Sequence, residues 1–379
     1  MGNKFLRRTW AEVDLHALSE NYKKMRAHLG AETKFLGVVK ANAYGHGAVQ
    51  VSKKLEELGA DYLAVATLDE ARELREAEIK LPILILGHTP MELTSELIKY
   101  DITQAVSNYA SAAAYNAVAE LHEKPLKIHI NVDTGMSRLG YLVRGERFER
   151  GVSDIAKTCA LPWLEAEGIF THFAVSDESD TMSESYTREQ FDLFMHTIEA
   201  LEAQGRSFAI RHCANSGAFV HYPEMHLDMV RPGLALYGAG IGVKELSLTP
   251  AMELKSCIYA VKYFEAGGDI GYGRTYHADQ KARLGVLPAG YADGFSRGFS
   301  NKVSVLTDQG PAPIRGRVCM DMTIVDLSDL PDVQVGDEVE IFGHHQTVDE
   351  LAAMLKTIPN EILCAVGKRV PRVYSDSKE

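Results

Sequence analysis

With 379 residues, 46% of them apolar, and a formal charge of −12, the sequence predicts a folded protein of two domains, or a barrel with an appended domain. The acidic charge argues against a nucleic-acid partner, and five scattered cysteines favour reduced thiols in a cytosolic compartment over disulfides or a zinc site. No apolar run reaches ~18–20 residues and no signal peptide is evident, so we expect a soluble chain, or the soluble part of a membrane protein.

Through about Gly240, short apolar runs alternate with amphipathic stretches, which predicts repeated strand–helix units. The eight predicted strands are Lys34–Val39, Asp61–Ala66, Pro82–Leu86, Ile102–Val106, Leu126–Val132, Glu165–Thr171, Ser207–His212 and Asp228–Tyr237. The predicted helices between them include Ala48–Leu58, Leu68–Ala77, Ala110–His122 and Ser185–Ala203. Eight such units predict an α/β fold, a (β/α)₈ barrel formed by residues 1–240.

After residue 240 the predicted elements are mostly strands, separated by clusters of Gly, Pro and Asp. These strands are Leu254–Phe264, Ala282–Pro288, Lys302–Leu306, Thr323–Asp326 and Glu338–Ile341. A helical period covers Thr347–Leu355. We therefore predict that residues 241–379 form a smaller, mostly β C-terminal domain that packs tightly against the barrel.

Polar residues follow several of the predicted barrel strands at the end where barrel enzymes carry their functional groups. They are Lys40, Arg138, His172 and Asn215-Ser216, and in addition Arg231-Pro232-Gly233 interrupts the predicted eighth strand. A lone lysine at a barrel rim usually extends its amine into solvent. A lysine partly buried at the barrel mouth instead has a lowered pKa, so that its neutral amine can attack a carbonyl.

Three separate elements near these strand ends suit a bound phosphate. A Gly-rich turn carrying the Tyr44 hydroxyl follows Lys40, and Ser216 offers a backbone amide at a predicted helix start. Gly233 has no side chain to block the approach of an anion. Together with Lys40, these elements favour a phosphorylated aldehyde cofactor.

With these residues the chain resembles the alanine racemases, the barrel class of pyridoxal-phosphate enzymes. The resemblance extends from Arg8 to Arg372, and its most specific part is Val39–Gly47, Val-Lys-Ala-Asn-Ala-Tyr-Gly-His-Gly. Other matching segments are Asn131–Gly140, Met229–Gly238, Gly271–Tyr276, Gly290–Gly294 and Arg317–Met322. The resemblance implies an isomerase that racemises a small amino acid.

The resemblance also implies catalytic roles. Lys40 holds pyridoxal 5′-phosphate covalently and acts as acid/base on one face of the substrate α-carbon, while Tyr276 acts on the opposite face. A tyrosine is a poor base at neutral pH, so its phenolate needs support, which His172 provides in the family. Arg231 contacts His172 and faces the pyridine nitrogen, which it cannot readily protonate, and this disfavours transamination.

The remaining implied contacts concern the phosphate, the substrate and the oligomer. Arg138 and the Met320 amide meet the substrate carboxylate. Because Tyr276 and Met320 reach the neighbouring subunit's barrel in the family, the resemblance implies a head-to-tail homodimer with shared active sites. The residues implied to hold the phosphate are Tyr44, Ser216 and Gly233, with Asn215 beside them, and Leu234 is a further cofactor-binding residue.

Two positions depart from the usual family pattern. Asn131 stands where many members carry a carbamylated lysine, so Arg138 lacks that anion and we expect chloride in its place. Asn360 stands where a tyrosine usually crowds the pocket, a pattern seen in the vancomycin-resistance serine racemases, whose catalytic domains are soluble parts of membrane proteins. An asparagine leaves room for a hydroxyl and can bond to it, so the sequence predicts a racemase for serine and alanine that favours serine.

Several alternatives stay open at this stage. One is a strict alanine racemase, and another is decarboxylation of a basic amino acid, which the paired bases Lys40 and Tyr276 argue against. A third is a pyridoxal-phosphate-binding protein without turnover, but such carriers lack the β domain that supplies Tyr276. A fourth is a cofactor-free phosphate-isomerase barrel.

Three further sequence features are predicted to have structural and not catalytic or metal-binding roles. His344-His345 is read as a surface turn because no further metal-ligand spacing accompanies it, so no metal site is predicted. Cys319 is read as a buried packing residue. The charged stretch Glu70–Glu78 is read as a solvated helix face.

Overall fold

Eight parallel strands form the wall of a barrel in the computed structural model, which describes residues 8–376. In chain order these barrel strands are Lys34–Val38, Tyr62–Val65, Ile83–Ile85, Thr103–Val106, Leu126–Asp133, Leu164–Phe170, Ile210–His212 and Met229–Val230. Each of the first seven pairs with its neighbour, and the eighth pairs with the first through Met229 and Lys34. The seventh and eighth are joined near Arg211 and Asp228, so the barrel is nearly closed and the predicted fold is confirmed.

Helices follow the barrel strands, and local capping residues explain where several of them begin. Thr67, Asn108 and Asp180 each accept a backbone hydrogen bond at a helix start. The helices of this part are Leu15–Arg26, Ala48–Glu57, Leu68–Glu76, Thr94–Lys99, Tyr109–Leu121, Phe148–Thr158, Thr181–Glu202 and Ser216–His221. No helix within residues 8–376 is both long enough and apolar enough to cross a membrane.

The predicted strand Asp228–Tyr237 is wrong beyond Val230. Strand pairing stops there because Pro232 has no N–H to donate, and Leu234–Tyr237 forms a 3₁₀ helix instead. The backbone N–H of Arg231 still bonds the Ala214 carbonyl at 2.8 Å. The chain therefore turns across the end of the barrel and leaves Arg231 and Gly233 there.

The second part of the molecule is mostly β, as predicted. Its largest sheet has six strands in the spatial order Gly310–Pro313, Ser304–Thr307, Glu338–Phe342, Met252–Cys257, Thr9–Asp14 and Arg372–Ser375. Smaller sheets consist of Ala260–Phe264, Ala282–Leu287 and Thr323–Asp326, and of Gly268–Ile270 and Tyr276–Ala278. Two helices, Val348–Leu355 and Pro359–Cys364, complete this part.

The strand Thr9–Asp14 opens the described chain but lies in the six-stranded sheet. It pairs with Met252–Cys257 on one side and with Arg372–Ser375 on the other. The single predicted strand Leu254–Phe264 is wrong, because it consists of two strands that belong to different sheets. A division of the chain at residue 240 stays a prediction, since the sheet joins residues from both ends of the sequence.

The last strand also connects the sheet to the barrel. Arg372 donates to the Gly45 carbonyl at 2.8 Å, and Gly45 closes the turn that follows Lys40. The same guanidinium bonds the carbonyls of Val366, Gly367 and Val370. The C-terminal end of the β part thus positions the turn that carries the predicted cofactor lysine.

Candidate active site

A cavity of about 880 Å³ opens at the carboxyl ends of the barrel strands. Its wall brings together residues that are up to 320 positions apart, counting from Lys40 to Asn360 (360 − 40 = 320). The predicted residues in its lining are Lys40, Tyr44, Asn131, Arg138, His172, Asn215, Ser216, Arg231, Gly233, Leu234 and Asn360. The barrel therefore collects the predicted cofactor groups, Arg138 and the pocket residue Asn360 around one space.

Lys40 begins a left-handed turn that ends at Tyr44. Four consecutive residues, Ala41 to Tyr44, have φ between 51° and 56°, a conformation that non-glycine residues rarely adopt. The Asn42 side chain holds the turn by accepting a bond from the Ala48 N–H at 2.9 Å. Burial, followed by the nearby Arg138 charge, lowers the pKa of Lys40 and favours the neutral amine.

Glu70 fixes the other side of the lysine turn. Its carboxylate accepts from the Ala41 N–H at 2.6 Å and from the Ala66 N–H at 2.8 Å. It also completes the capping box with Thr67. The interpretation of Glu70–Glu78 as a solvated face is therefore wrong for Glu70, since this carboxylate joins the lysine turn to the end of the second barrel strand.

Tyr44, Ser216 and Gly233 converge on one part of the cavity. The Gly233 N–H donates to Ser216 Oγ at 3.0 Å, and a Cβ at Gly233 would lie 2.6 Å from the Tyr44 hydroxyl oxygen. Asn215 caps the short helix by accepting from the Ala218 N–H at 3.0 Å. A small hydroxyl-lined space of this kind, with a glycine at its edge, fits a phosphate group.

Arg231 is buried at the floor of the cavity and held by several acceptors. It donates to the carbonyls of Thr171 at 2.8 Å and Cys213 at 3.1 Å, and to Nδ1 of His212 at 2.9 Å. The contact with Nδ1 of His172 is longer, at 3.4 Å. Burial lowers the pKa of Arg231 to about 10, which leaves the guanidinium charged at neutral pH.

His172 is neutral at neutral pH. Burial is the main cause, and the Arg231 charge is the next; together they lower the pKa of His172 to about 3. Because Arg231 has donors alone, its contact with Nδ1 places the remaining imidazole proton on Nε2. His172 therefore offers a hydrogen-bond donor into the cavity.

Tyr276 and Met320 lie elsewhere in the molecule. Among residues 8–376, neither contributes to the cavity that contains Lys40. Tyr276 belongs to a two-stranded sheet, where the Arg315 guanidinium lies 4.7 Å from its ring centre, and Met320 is 53% exposed. A single chain thus brings together the barrel groups but not these two.

Sequence reasoning missed His212 and Glu70, which support the site from behind. His212 ends the seventh barrel strand two residues after the buried Ile210, so strand alternation could have identified it as inward-facing. Glu70 follows Thr67 by three residues, which is the capping-box spacing. Its bond to Ala41 leaves no local signal, because it depends on how two barrel loops pack.

The other candidate residues have ordinary surroundings. His344 lies 3.6 Å from a Glu253 oxygen and His345 lies 2.9 Å from a Glu340 oxygen, and no group of three potential metal ligands occurs within residues 8–376. Cys319 is half-buried, and burial raises the pKa of its thiol. Cys159, Cys213, Cys319 and Cys364 are free thiols.

Known proteins match the chain over nearly its whole length. The alanine racemase N-terminal domain family matches residues 13–240, and the alanine racemase C-terminal domain family matches residues 251–374. The alanine racemase of Desulforamulus reducens is 45% identical over 370 residues, which cover 96% of this chain and 98% of the relative. That of Desulfovibrio desulfuricans is 44% identical over 374 residues, with coverage of 98% and 99%.

Solved structures give the same result for the fold. Alanine racemase from Clostridium difficile 630 superposes with a TM-score of 0.93 at 39% identity, covering 98% of this chain and 97% of that one. The alanine racemase from D-cycloserine-producing Streptomyces lavendulae has a TM-score of 0.92 at 35% identity and covers 99% of both chains. The chain is thus similar to these enzymes in both its barrel and its β part.

Proposed function

This chain belongs to the alanine racemase family, an isomerase family, and from that premise we propose that it interconverts L- and D-alanine with pyridoxal 5′-phosphate as cofactor. The observation that carries the proposal is the one cavity that Lys40, Ser216 and the buried Arg231 line together. The relatives are named alanine racemases, which supports alanine as the substrate.

The residues present fit this cofactor. Tyr44, Ser216 and the Gly233 amide would hold the phosphate, with Asn215 and Leu234 beside them, because a side chain at Gly233 would close that space. The neutral amine of Lys40 would make the covalent attachment. When bound, pyridoxal phosphate withdraws electrons from the substrate and acidifies its α-C–H bond.

Racemisation requires proton transfer on both faces of the α-carbon. Lys40 would take or give the proton on one face, and Tyr276 on the other. The Nε2–H of His172 would stabilise the Tyr276 phenolate by hydrogen bonding, since His172 is neutral and its Nδ1 faces Arg231. Arg138 at the cavity rim, together with the Met320 amide, would bind the substrate carboxylate.

The second base would come from a second copy of the chain. Tyr276 lies in the β part, outside the cavity that contains Lys40 of the same chain. Large apolar side chains remain exposed on this part, including Tyr272, Tyr291 and Met322. These observations support a homodimer in which the β part of each subunit completes the other's barrel.

Mixing two inactive variants tests the shared site. Lys40→Ala and Tyr276→Phe are each expected to give an inactive homodimer. Refolded or co-expressed together, they form heterodimers in which one of the two sites has both native residues, so random mixing restores about a quarter of the wild-type activity. Each variant refolded alone is the control.

Failure of the mixture to regain activity, while mixed dimers are detected by mass, would contradict the sharing of the site between subunits. Activity of the Tyr276→Phe homodimer close to wild type would contradict the two-base mechanism itself. Absence of alanine racemisation by the wild-type enzyme with added pyridoxal phosphate would overturn the proposed function.

Serine is the second proposed substrate, because Asn360 lines the cavity with an amide that can bond a hydroxyl. Its neighbours in the lining are Ile358 and Pro359, which begin the helix Pro359–Cys364. Alanine and serine differ by this hydroxyl alone. Steady-state racemisation of both amino acids by the same preparation decides whether serine is accepted.

We also propose a chloride beside Asn131 and Arg138. Asn131 is buried and its amide lies 3.5 Å from the Ser107 hydroxyl, so it brings no charge to the arginine. Within residues 8–376, no ion pair to a carboxylate involves Arg138. Anomalous diffraction from a bromide-soaked crystal is expected to show a peak between these two side chains, and a peak-free map there would remove the proposal.

A further inference from the structure

A line of hydrogen bonds runs through the barrel interior, away from the cavity. Arg231 Nη1 lies 2.9 Å from Nδ1 of His212, and Nε2 of His212 lies 2.8 Å from Nδ1 of His129. Nε2 of His129 lies 3.4 Å from the Glu167 carboxylate, which also accepts from the Tyr62 hydroxyl at 2.6 Å. We call Arg231, His212, His129 and Glu167 the interior relay.

Donor and acceptor chemistry allows one direction for these bonds. A guanidinium has no acceptor, so Nδ1 of His212 must accept from Arg231 and its proton must sit on Nε2. That Nε2–H donates to Nδ1 of His129, whose proton therefore also sits on Nε2 and points at Glu167. Each histidine is neutral and each is the Nε2–H tautomer.

The opposite direction is blocked at Arg231. If His129 carried its proton on Nδ1, Nε2 of His212 would have to accept that hydrogen bond. The proton of His212 itself would then sit on its Nδ1. Two N–H groups would then face each other at 2.9 Å inside the barrel, where both would lose a hydrogen bond. Burial lowers the pKa of His129 and of His212, which opposes the alternative of a doubly protonated ring.

The backbone makes a specific place for this relay. The pairing of the fifth and sixth barrel strands shifts between Ile128 and His129, so Glu167 is an extra residue in a β-bulge. Bulges redirect side chains, and here the Glu167 side chain reaches the His129 ring. Gly168 opposes His129, and a Cβ there would lie 2.6 Å from the imidazole.

Glu167 is the anion at the opposite end of the interior relay from Arg231. Arg231 is 3% exposed, and among residues 8–376 no carboxylate forms an ion pair with it. The His129 hydrogen bond is the main cause that lowers the pKa of Glu167 to about 2, so the carboxylate is ionised. Lys127 lies 3.8 Å away on the outer side, at the N-terminal end of the barrel.

We propose that Glu167 is a positioning residue for Arg231, a remote counter-charge that acts through His129 and His212 and holds the guanidinium at the cavity floor. The proposal rests on the proposed function, because Arg231 would there face the pyridine nitrogen of the cofactor. An arginine held in place keeps water from protonating that nitrogen. Loss of the Glu167 charge loosens the arginine and lets transamination compete with racemisation.

Imidazole ¹⁵N NMR of the holoenzyme at pH 7.5 tests the relay without reference to activity. Protonated and unprotonated ring nitrogens have well-separated shifts, and His129→Asn and His212→Asn variants assign the two rings among the 14 histidines. We expect both rings to be neutral Nε2–H tautomers. A doubly protonated ring, or an Nδ1–H tautomer at either position, overturns the proposal, whether or not the enzyme racemises alanine.

Glu167→Gln tests the positioning role. The amide keeps the size and an acceptor oxygen but removes the charge, and we expect kcat/KM for racemisation to fall roughly tenfold. The amine form of the cofactor, followed by absorbance during turnover, should accumulate severalfold faster per turnover. Glu165→Gln is the matched control, since Glu165 is an exposed residue of the same strand.

The two variants separate positioning from a general effect of charge. Glu165→Gln should match wild type in kcat/KM and in amine formation. Equal behaviour of both variants would overturn the proposal even where both fold normally. If Glu167→Gln does not fold, the tautomers of His129 and His212 in the unmodified enzyme still decide whether the relay exists. If wild type shows the expected tautomers but no racemisation, the proposed function fails and the relay stands.

Discussion

The barrel end and the β part present their predicted functional groups in opposite ways. In the barrel, Arg231 is 3% exposed and held by four contacts, and His172 is buried beside it. In the β part, Met320 is 53% exposed, and Tyr276 lies in a small two-stranded sheet. The barrel carries a nearly complete site, whereas the β part carries groups that lack a site of their own.

Burial explains why the two regions differ electrostatically. Removal from water lowers the pKa of Lys40, which favours its neutral amine, and lowers the pKa of His172 to about 3, which keeps that imidazole neutral. The barrel thus prepares Lys40 and His172 within one chain, whereas Tyr276 and Met320 lie outside the cavity of their own chain.

The largest expected effect is that of Lys40→Ala, which removes the group on which the barrel site depends. We expect loss of racemisation and of the cofactor absorption band that borohydride bleaches, because Lys40 is the lysine at the cavity wall beside the phosphate space. Lys244→Ala is the control, since the exposed Lys244 also lines the cavity, and this variant should retain both the activity and the band. A reducible band that survives in Lys40→Ala contradicts the assignment.

Tyr276→Phe tests the contribution of the β part. Racemisation should fall ~10²–10⁴-fold, the range typical for loss of a general acid/base, while the cofactor stays bound. Lys40 should still exchange the α-proton on its own face, so deuterium enters one enantiomer of the substrate in heavy water.

The exposed Tyr263 offers a control in the same β part, and Tyr263→Phe should behave as wild type. Equal slowing of exchange for both enantiomers in Tyr276→Phe would mean that Tyr276 positions the substrate and does not act as a one-sided base.

Asp293→Asn tests whether a buried charge in the β part stabilises the fold. Asp293 is fully buried and accepts from Arg8 at 2.7 Å and from Arg369 at 2.8 Å. Removing its charge leaves two arginines without their buried partner, so we expect a loss of about 3–5 kcal/mol in the free energy of unfolding.

Urea unfolding measures this loss, with Asp321→Asn as the matched control. Asp321 pairs with the same Arg369 at 2.9 Å, but its side chain is 51% exposed. Its replacement should cost under about 1 kcal/mol. Similar losses for both variants would show that burial does not decide the contribution of Asp293.

The smallest expected effect is that of Asn360→Tyr on substrate preference. Asn360 reaches the cavity from the β part, together with Ile358 and Pro359. Losing a neutral hydrogen bond costs ~0.5–1.5 kcal/mol, or roughly two- to twelvefold in the ratio of kcat/KM for serine to that for alanine. An unchanged ratio would leave serine without support and alanine as the sole proposed substrate.

Sequence patterns predicted the barrel well because its signal is local. Alternating runs of about five apolar residues and amphipathic helices identify each strand–helix unit by itself, and Lys40 and His172 stand at strand ends. The strand Thr9–Asp14 has no such signal, because its partners are 239 or more residues away in the chain (252 − 13 = 239). The predicted strand through Tyr237 was wrong because one proline ends strand pairing.

The amino-acid sequence by itself determined the barrel, the family resemblance and the identity of the groups at the strand ends, since these depend on residue type and short-range period. Only the tertiary structure decided that Glu70 binds the lysine turn and that Glu167 reaches His129 through a bulge. These contacts join residues far apart in the chain, and their geometry depends on how whole strands and loops pack.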